Sequence, residues 1–358
     1  MKPVRVLIAD DSALMRQSLR KILEVSPELE VVGVARDGED AVAKARELKP
    51  DVLSLDINMP KLDGISVLQI VMAEQICPVV MVSSLTQKGA LTTFECLELG
   101  AFDFVGKPDG TVSGNIAQIG NELISKLKAA STSGTLKRLG RRGRLQGRLQ
   151  RNAQPARNSA SAAAASRTRS EAKAIAIGIS TGGPATIMDV LPRLPADLSA
   201  AVFLVQHMPA AFIHTFVKRL DDSCALQVSE AEAGIKVEPG HCYVGPGDYQ
   251  LGVFRKLNGE VVLRTPRQPQ TLFMPSVDVM MQSVLQAYRN NTIGILMTGI
   301  GDDGAEQMLE IFKAGGHTIA EIEESCIVYG MPRQAIERGA VEVIAPAWEI
   351  AAAIMRFV

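Results

Sequence analysis

Two groups of side chains in this sequence have the types and spacing that chemistry needs. In the first, Asp10-Asp11, Asp56, Ser83 and Lys107 each close a short apolar run. Three carboxylates brought together repel one another unless a cation joins them, and oxygen-only ligands with room for water suit Mg²⁺. With that charge neutralised, Asp56 could act as a nucleophile toward a phosphoryl group. The Ser83 hydroxyl and the Lys107 ammonium could grip its oxygens. One aspartate alone would read as a helix N-cap; the recurrence at successive run ends argues for a site. Lys107 precedes Pro108, where a cis bond could shape the loop.

The second group starts at Gly178-Ile179-Ser180-Thr181-Gly182-Gly183-Pro184. Gly178-x-Ser180-x-Gly182 has the form of a nucleophile elbow. Its glycines allow a tight turn, and the start of the next helix offers N–H groups to an oxyanion. Such a turn could equally cradle a phosphate, so a base must decide. Among the four histidines, His207 in Val205-Gln206-His207-Met208-Pro209 is best placed, directly after a strand. His214 falls inside a helix and reads as structural, His241 sits in a surface turn, and His317 begins a strand. The orienting acid is expected in Met297-Thr298-Gly299-Ile300-Gly301-Asp302-Asp303-Gly304, where spacing does not choose between Asp302 and Asp303. A triad is defined by geometry and not by chain order. The α/β-hydrolase order, with His317 last, fits less well. That fold takes part of its oxyanion hole from an earlier strand, and Ser180 follows the first strand of its domain.

Parallel strands must carry both groups. Val6–Ala9, Val31–Val34, Val52–Leu55, Val79–Val82 and Phe102–Val105 are continuous apolar runs, with helices near 12–25, 41–48 and 116–127. From Lys173 the alternation resumes, with strands at Ala174–Gly178, Ala201–Val205, Cys242–Val244, Val261–Leu263 and Thr292–Leu296. Helices are expected near 186–191, 212–220, 277–288 and 305–314, and a β-hairpin insertion over 243–264. Val/Ile/Leu runs between helices mean parallel sheets covered on both faces. The fold class is therefore α/β, with two doubly wound parallel-sheet domains. In such sheets the functional crevice lies at the carboxyl ends of the strands.

The chain has 358 residues, 47 % hydrophobic and 22 % charged, with net charge −1. That suits two ordinary globular cores and excludes a molecule built as a polyanion binder. Between the halves, residues 129–172 are rich in Ser, Gly, Ala and Arg, with Glu171 the one acid. Such a stretch cannot bury enough apolar surface to order itself, so it reads as a flexible linker, with a short helix possible over 136–151. Its arginines could touch nucleic acid, but no basic helix-turn-helix pattern supports that, and a solubilising tether is the simpler reading. The five cysteines are scattered without C-x-x-C and read as reduced. No leader and no membrane-spanning run is visible, so a cytoplasmic location is expected.

Residues 2–128 resemble a two-component receiver domain through Asp10-Asp11, Asp56, Ser83 and Lys107-Pro108. The resemblance implies that Asp56 accepts phosphate from a histidine kinase and that Phe104 is the aromatic that shifts on phosphorylation. Residues 173–358 resemble the catalytic domain of the chemotaxis protein-glutamate methylesterases. The motifs are Gly178-Ile179-Ser180-Thr181-Gly182-Gly183, Val205-Gln206-His207-Met208-Pro209, Pro275-Ser276-Val277-Asp278-Val279, Thr298–Gly304 and Gly330-Met331-Pro332. The family pattern Thr-Gly-Met-Gly-x-Asp-Gly selects Asp303, and Ile300 stands where Met is usual. The resemblance implies a Ser180–His207–Asp303 triad and an oxyanion and substrate loop at Thr181, Gly182 and Ile300. It further implies methylated glutamates and certain glutamines of chemoreceptors as substrate, with no cofactor for the hydrolysis. The implied units are a receiver at 1–128, the linker at 129–172 and the methylesterase domain at 173–358. The competing reading is a non-enzymatic output domain that binds a ligand or nucleic acid.

Overall fold

The computed structural model describes residues 2–84, 86–107, 113–132 and 172–358. Most of the arginine-rich linker, its possible helix over 136–151, and Pro108 lie outside the described residues.

The first half runs β1 (Val4–Ala9), α1 (Ala13–Glu24), β2 (Leu29–Ala35), α2 (Gly38–Leu48), β3 (Val52–Asp56), α3 (Gly64–Ala73), β4 (Val79–Ser83), α4 (Gln87–Glu98), β5 (Asp103–Gly106) and α5 (Ser113–Ala130). Its strands form one five-stranded sheet in the order β2-β1-β3-β4-β5, and every pairing is parallel. The chain leaves β1 toward one edge for β2 and returns to the other side for β3. That reversal is a topological switch point, which opens a crevice between the ends of β1 and β3. Ser12, Asp37, Asp63 and Thr86 cap α1 to α4 by accepting N–H groups of the first turn, as short polar side chains do. Helices α3 and α4 escaped the sequence reading. Gly64 opens α3 against the Asp56 backbone, and Thr93 in α4 is buried against Ser83, which blurs an amphipathic pattern.

The second half begins with β6 (Lys173–Ile179), a single α-turn α6 (Gly183–Thr186) and β7 (Ala200–Gln206). It continues with α7 (Ala210–Ser223), β8 (Gln227–Glu230), β9 (His241–Val244), β10 (Gly252–Arg255), β11 (Val261–Arg264) and α8 (Val277–Tyr288). It ends with β12 (Thr292–Leu296), α9 (Ala305–Lys313), β13 (His317–Glu321), α10 (Met331–Glu337), β14 (Val343–Ala345) and α11 (Ala347–Phe357). A seven-stranded sheet has the order β14-β13-β12-β6-β7-β9-β8, again wholly parallel. Both sheets bear out the expected α/β class.

Three expectations are corrected. The helix expected over 186–191 is the single turn α6 followed by 3₁₀ turns at Ile187–Asp189 and Leu191–Arg193, because Pro192 brings no N–H to an α-helical ladder. The hairpin is confined to β10 and β11, which pair antiparallel from Gly252–Arg264 to Arg255–Val261. Tyr243 instead belongs to the large sheet, in parallel register with Phe203 and Ser229. Finally, β8, β14, α10 and α11 were not anticipated; β14 is three residues long and β8 four, too short to carry a period.

The two sheets meet through α4 and β5 on one side and α7 on the other. Phe104 lies 4.6 Å from Phe212 between ring centroids, and Phe94 stacks on Phe216 at 6.0 Å. All four rings are buried, and burial of each contributes roughly 1.5–3 kcal/mol. Arg219 rims this seam, pairing with Glu98 and donating to the Phe94 carbonyl. Helix α7 begins three residues after His207, so the seam rests on the segment that carries the candidate base.

Candidate active site

Strand register brings the second group together. Gly178 of β6 is level with Val205 of β7 and Leu296 of β12, so the three loops that follow emerge side by side. β6 lies between strands the chain reaches in opposite directions, which is again a switch point. Gly178 is not part of the turn, as the elbow pattern suggested; it sits inside β6. A Cβ there would come 2.3 Å from Val277 Cγ1, so its bareness lets the start of α8 lie on the strand. Gly182 is the turn glycine, with φ +76°, a conformation that costs L-residues with a Cβ. The turn closes on itself: Gly183 N–H donates to the Ser180 carbonyl at 2.8 Å and Thr186 N–H to the Gly182 carbonyl at 3.2 Å.

Ser180 and Thr181 are nearly buried. His207 Nε2 lies 2.8 Å from Asp303 Oδ2. Its Nδ1 is buried with no hydrogen-bond partner among the described residues. With Nε2–H donated to a carboxylate, Nδ1 carries the lone pair and is the nitrogen able to take a proton. Phe273 stacks on the ring at 4.1 Å and 12° and restricts its rotation. Gln206 Nε2 donates to the carbonyls of both Ser180 and His207, each at 2.9 Å, which fixes one loop relative to the other.

The structure separates the two acids. Asp302 is exposed and pairs with Arg338 at 3.0 Å. Asp303 accepts from His207, from Ser276 Oγ at 2.8 Å, and from the N–H groups of Val277 at 2.7 Å and Asp278 at 3.0 Å. It thus sits on the N-terminus of α8, where N–H groups and the helix dipole favour an anion. Burial opposes its ionisation, but the hydrogen bond and charge of His207, with those N–H groups, outweigh this and hold the carboxyl down at about 2. Asp278 goes the other way. Burial, then the neighbouring Asp303 charge, push it up to about 6 against N–H groups of Gln307 and Gly304. Sequence reasoning gave Ser276, Asp278 and Gln206 no role. The signal for the first two was present, since the helix expected at Val277 presents its N-terminus to any nearby anion.

The other histidines are elsewhere. His317 opens β13, at the far end of its strand from the crevice, pairs with Glu342 at 2.9 Å and stacks on Phe357; the α/β-hydrolase order therefore finds no base. His241 is half-buried, not a surface residue: it bonds Ser229 Oγ at 2.8 Å and stacks on Tyr243. His214 faces solvent on α7 and so has no packing role. Ile300 is half-buried in the turn over Gly330.

The first group also assembles. Ligand oxygens of Asp10, Asp11 and Asp56 lie within 4.8 Å of one another. Lys107 Nζ is 2.9 Å from Asp10 Oδ2 and 2.8 Å from Asp56 Oδ2, an ion pair with each carboxylate. Asp56 Oδ1 is buried and lacks a partner among the described residues. Burial pushes the Asp56 carboxyl up; the Lys107 bond and charge offset part of this, and Asp10 adds to it. Buried carboxylates with unsatisfied oxygens fit a hard divalent cation. Ser83 is buried and accepts from Thr93 Oγ1 at 2.9 Å. The five cysteines are free thiols; burial pushes Cys77, Cys96 and Cys224 up to about 12. No helix among the described residues is long and apolar enough to cross a membrane.

Two family models match the chain: the response regulator receiver domain over residues 6–112 and the CheB methylesterase over residues 175–354. A protein-glutamate methylesterase/protein-glutamine glutaminase of Syntrophomonas wolfei is 55 % identical, covering 99 % of both chains. Another, of Caldanaerobacter subterraneus, is 48 % identical over 99 % of this chain and 96 % of its own. The crystal structure of the Thermotoga maritima CheB methylesterase catalytic domain is 36 % identical and has a TM-score of 0.51. It covers 53 % of this chain and 100 % of its own.

Proposed function

The chain belongs to the CheB methylesterase family of protein-glutamate methylesterase/protein-glutamine glutaminases, and from that premise we propose how its residues divide the work. It is a phosphorylation-activated serine hydrolase that demethylates glutamate methyl esters, and deamidates certain glutamines, on chemoreceptors. Residues 1–128 form the receiver, 129–172 the linker and 173–358 the hydrolase; the substrate-bearing helices are cytoplasmic, and so is the enzyme.

Ser180 is the nucleophile, His207 the base and Asp303 the orienting acid. The observation that carries this reading is the 2.8 Å bond from His207 Nε2 to Asp303, which leaves the buried Nδ1 as the ring nitrogen able to take a proton. Ser180 Oγ attacks the ester carbonyl while Nδ1 takes its proton. With an ester the C–O bond then breaks and Nδ1 delivers the proton to the departing methoxide, releasing methanol; with a glutamine the C–N bond breaks and the proton goes to the departing nitrogen, releasing ammonia. Water, deprotonated by the same nitrogen, attacks the acyl-enzyme and releases glutamate and Ser180. Asp303 steadies the imidazolium formed in each half. Backbone N–H groups of Thr181, Gly182 and Ile300 face the oxyanion.

In the receiver, Asp56 accepts phosphate from the pathway's histidine kinase. Asp10, Asp11 and Asp56 would hold Mg²⁺, which neutralises charge on the phosphoryl oxygens when bound. Lys107 and Ser83 grip those oxygens. The seam of Phe94 and Phe104 against Phe212 and Phe216 supports an inhibitory receiver that holds the crevice closed until phosphate weakens the contact. The test is fluorophosphonate labelling and methanol release from a methylated receptor fragment. Ser180→Ala and His207→Ala should each lose activity by on the order of 10⁴-fold or more yet still take phosphate. Near-normal methanol release by either variant overturns the triad.

A further inference from the structure

Behind the crevice, on the side away from His207, lies a fully buried carboxylate. Glu321 ends β13 and is 0 % exposed. Its Oε2 accepts the Thr298 N–H at 2.9 Å, and its Oε1 accepts the Ser325 hydroxyl at 2.8 Å. Ser325 in turn accepts the Ala347 N–H at 3.1 Å. A buried carboxylate persists only where hydrogen bonds replace its lost hydration, so the geometry of its donors is tightly set.

Thr298 is the donor that matters. Its carbonyl accepts the Ser180 N–H at 3.0 Å, and its hydroxyl donates to the Thr181 carbonyl at 2.9 Å. The same hydroxyl accepts the Val328 N–H at 2.9 Å, and Gly299 N–H donates to the Val328 carbonyl at 3.1 Å. Three loops therefore meet at one residue: the nucleophile turn, the loop that leads to Asp303, and the segment before α10. Thr298 is itself fully buried. What holds its N–H, and so aims its carbonyl and hydroxyl at the nucleophile turn, is Glu321.

We propose that Glu321 is a positioning residue for the hydrolysis, setting Ser180 and Thr181 through Thr298; the proposal rests on Ser180 as the nucleophile. What Thr298 needs is an acceptor at the right reach. A glutamine supplies it: its Oε1 accepts from Thr298, while its Nε2 donates to Ser325 Oγ. An aspartate keeps the charge but falls one methylene short. Displacement of a reacting group by about 1 Å can cost on the order of 10²-fold.

The full-length chain is therefore tested as Glu321→Gln, Glu321→Asp and Ser325→Ala. The assays are fluorophosphonate labelling of Ser180 and methanol release from a methylated receptor fragment, at a temperature well below each variant's melting point. Glu321→Gln should keep kcat within about threefold of the parent, whereas Glu321→Asp should lose about 10- to 100-fold in kcat and in labelling rate with KM unchanged. Ser325→Ala, at a half-buried site where folding is not at stake, should lose a smaller amount in the same two readouts. A role for the buried charge in stability alone predicts the reverse order, with aspartate tolerated and glutamine harmful. Glutamine as slow as aspartate, or Ser325→Ala and aspartate both at the parent rate, overturns the proposal. Methanol release by Ser180→Ala would instead overturn the nucleophile assignment.

Discussion

Phe104 and Phe212 touch across the seam between the two sheets, their ring centroids 4.6 Å apart. Phe104 leads into Gly106 and Lys107, and Lys107 is ion-paired to Asp56; Phe212 stands in the first turn of α7, just beyond His207. The pair thus lies between Asp56, the proposed phosphate acceptor, and His207, the proposed base. Both rings are buried where the halves meet. Phe104→Ala should raise methanol release by the unphosphorylated chain roughly threefold to tenfold, the range for weakening a closed state by about 1 kcal/mol. Arg219→Ala should raise it less, because a partly exposed pair such as Arg219–Glu98 contributes little. An unchanged basal rate in Phe104→Ala would mean that this seam does not inhibit.

Asp303→Asn should lower kcat by on the order of 10⁴-fold, since an amide cannot hold the His207 proton on Nε2. Asp302→Asn removes only an exposed pair with Arg338 and should leave methanol release near the parent value. Measured side by side, the reverse ranking would show that the wrong aspartate is assigned.

The legible parts of this molecule were those with a local signature. β12 and α8 fall where apolar period and capping place them, Thr292–Leu296 and Val277–Tyr288, and the strand ends carry Asp56, Ser180 and His207 as expected. Asp302 and Asp303 could not be separated by spacing, because the choice depends on which one meets the N-terminus of α8, a contact between segments 25 residues or more apart. Glu321 was silent for the same reason. A glutamate at the end of an apolar strand looks like a surface residue until Thr298, 23 residues away, is placed beside it. Phe104 was visible as a switch aromatic only through family resemblance; its partner Phe212 is one of several apolar residues on α7.

Asp278 and Asp303 titrate as a neighbouring pair with opposite displacements, and the pH dependence of stability follows. Asp278 is raised from 3.8 to about 6 by burial and by the Asp303 charge. Its protonated form is therefore favoured by folding. That contribution is whole below about pH 4 and is lost as pH rises through about 6. Asp303, lowered to about 2, contributes throughout that window and is lost only in stronger acid. Asp278→Asn removes the charge but keeps an oxygen for the Gln307 N–H. Its melting temperature should exceed the parent's by about 2 °C or more at pH 7.5, with the gap closing by pH 4. A gap that widens toward acid would show that the α8 dipole, not burial, governs Asp278.

Asp56→Asn should abolish activation by a small phosphodonor with Mg²⁺ while leaving basal methanol release intact. Asparagine matches the size of aspartate but offers no carboxylate to attack phosphorus. Lys107 keeps its ion pair with Asp10 at 2.9 Å, so the β5 end that leads back to Phe104 stays held. Folding should not suffer either, because burial already disfavours the Asp56 charge, and a neutral side chain removes that cost. On the proposed reading phosphate acts by changing the seam, and a coupling of about 1–3 kcal/mol, or roughly 5- to 150-fold in activity, is the usual scale for such linkage. Chelation of Mg²⁺ should reproduce the loss in the parent chain without touching basal activity, since the proposed hydrolysis runs on Ser180, His207 and Asp303 alone. Phosphodonor activation that survives Asp56→Asn would exclude Asp56 as the acceptor. Loss of basal activity as well would place Asp56 in the folding of the seam itself.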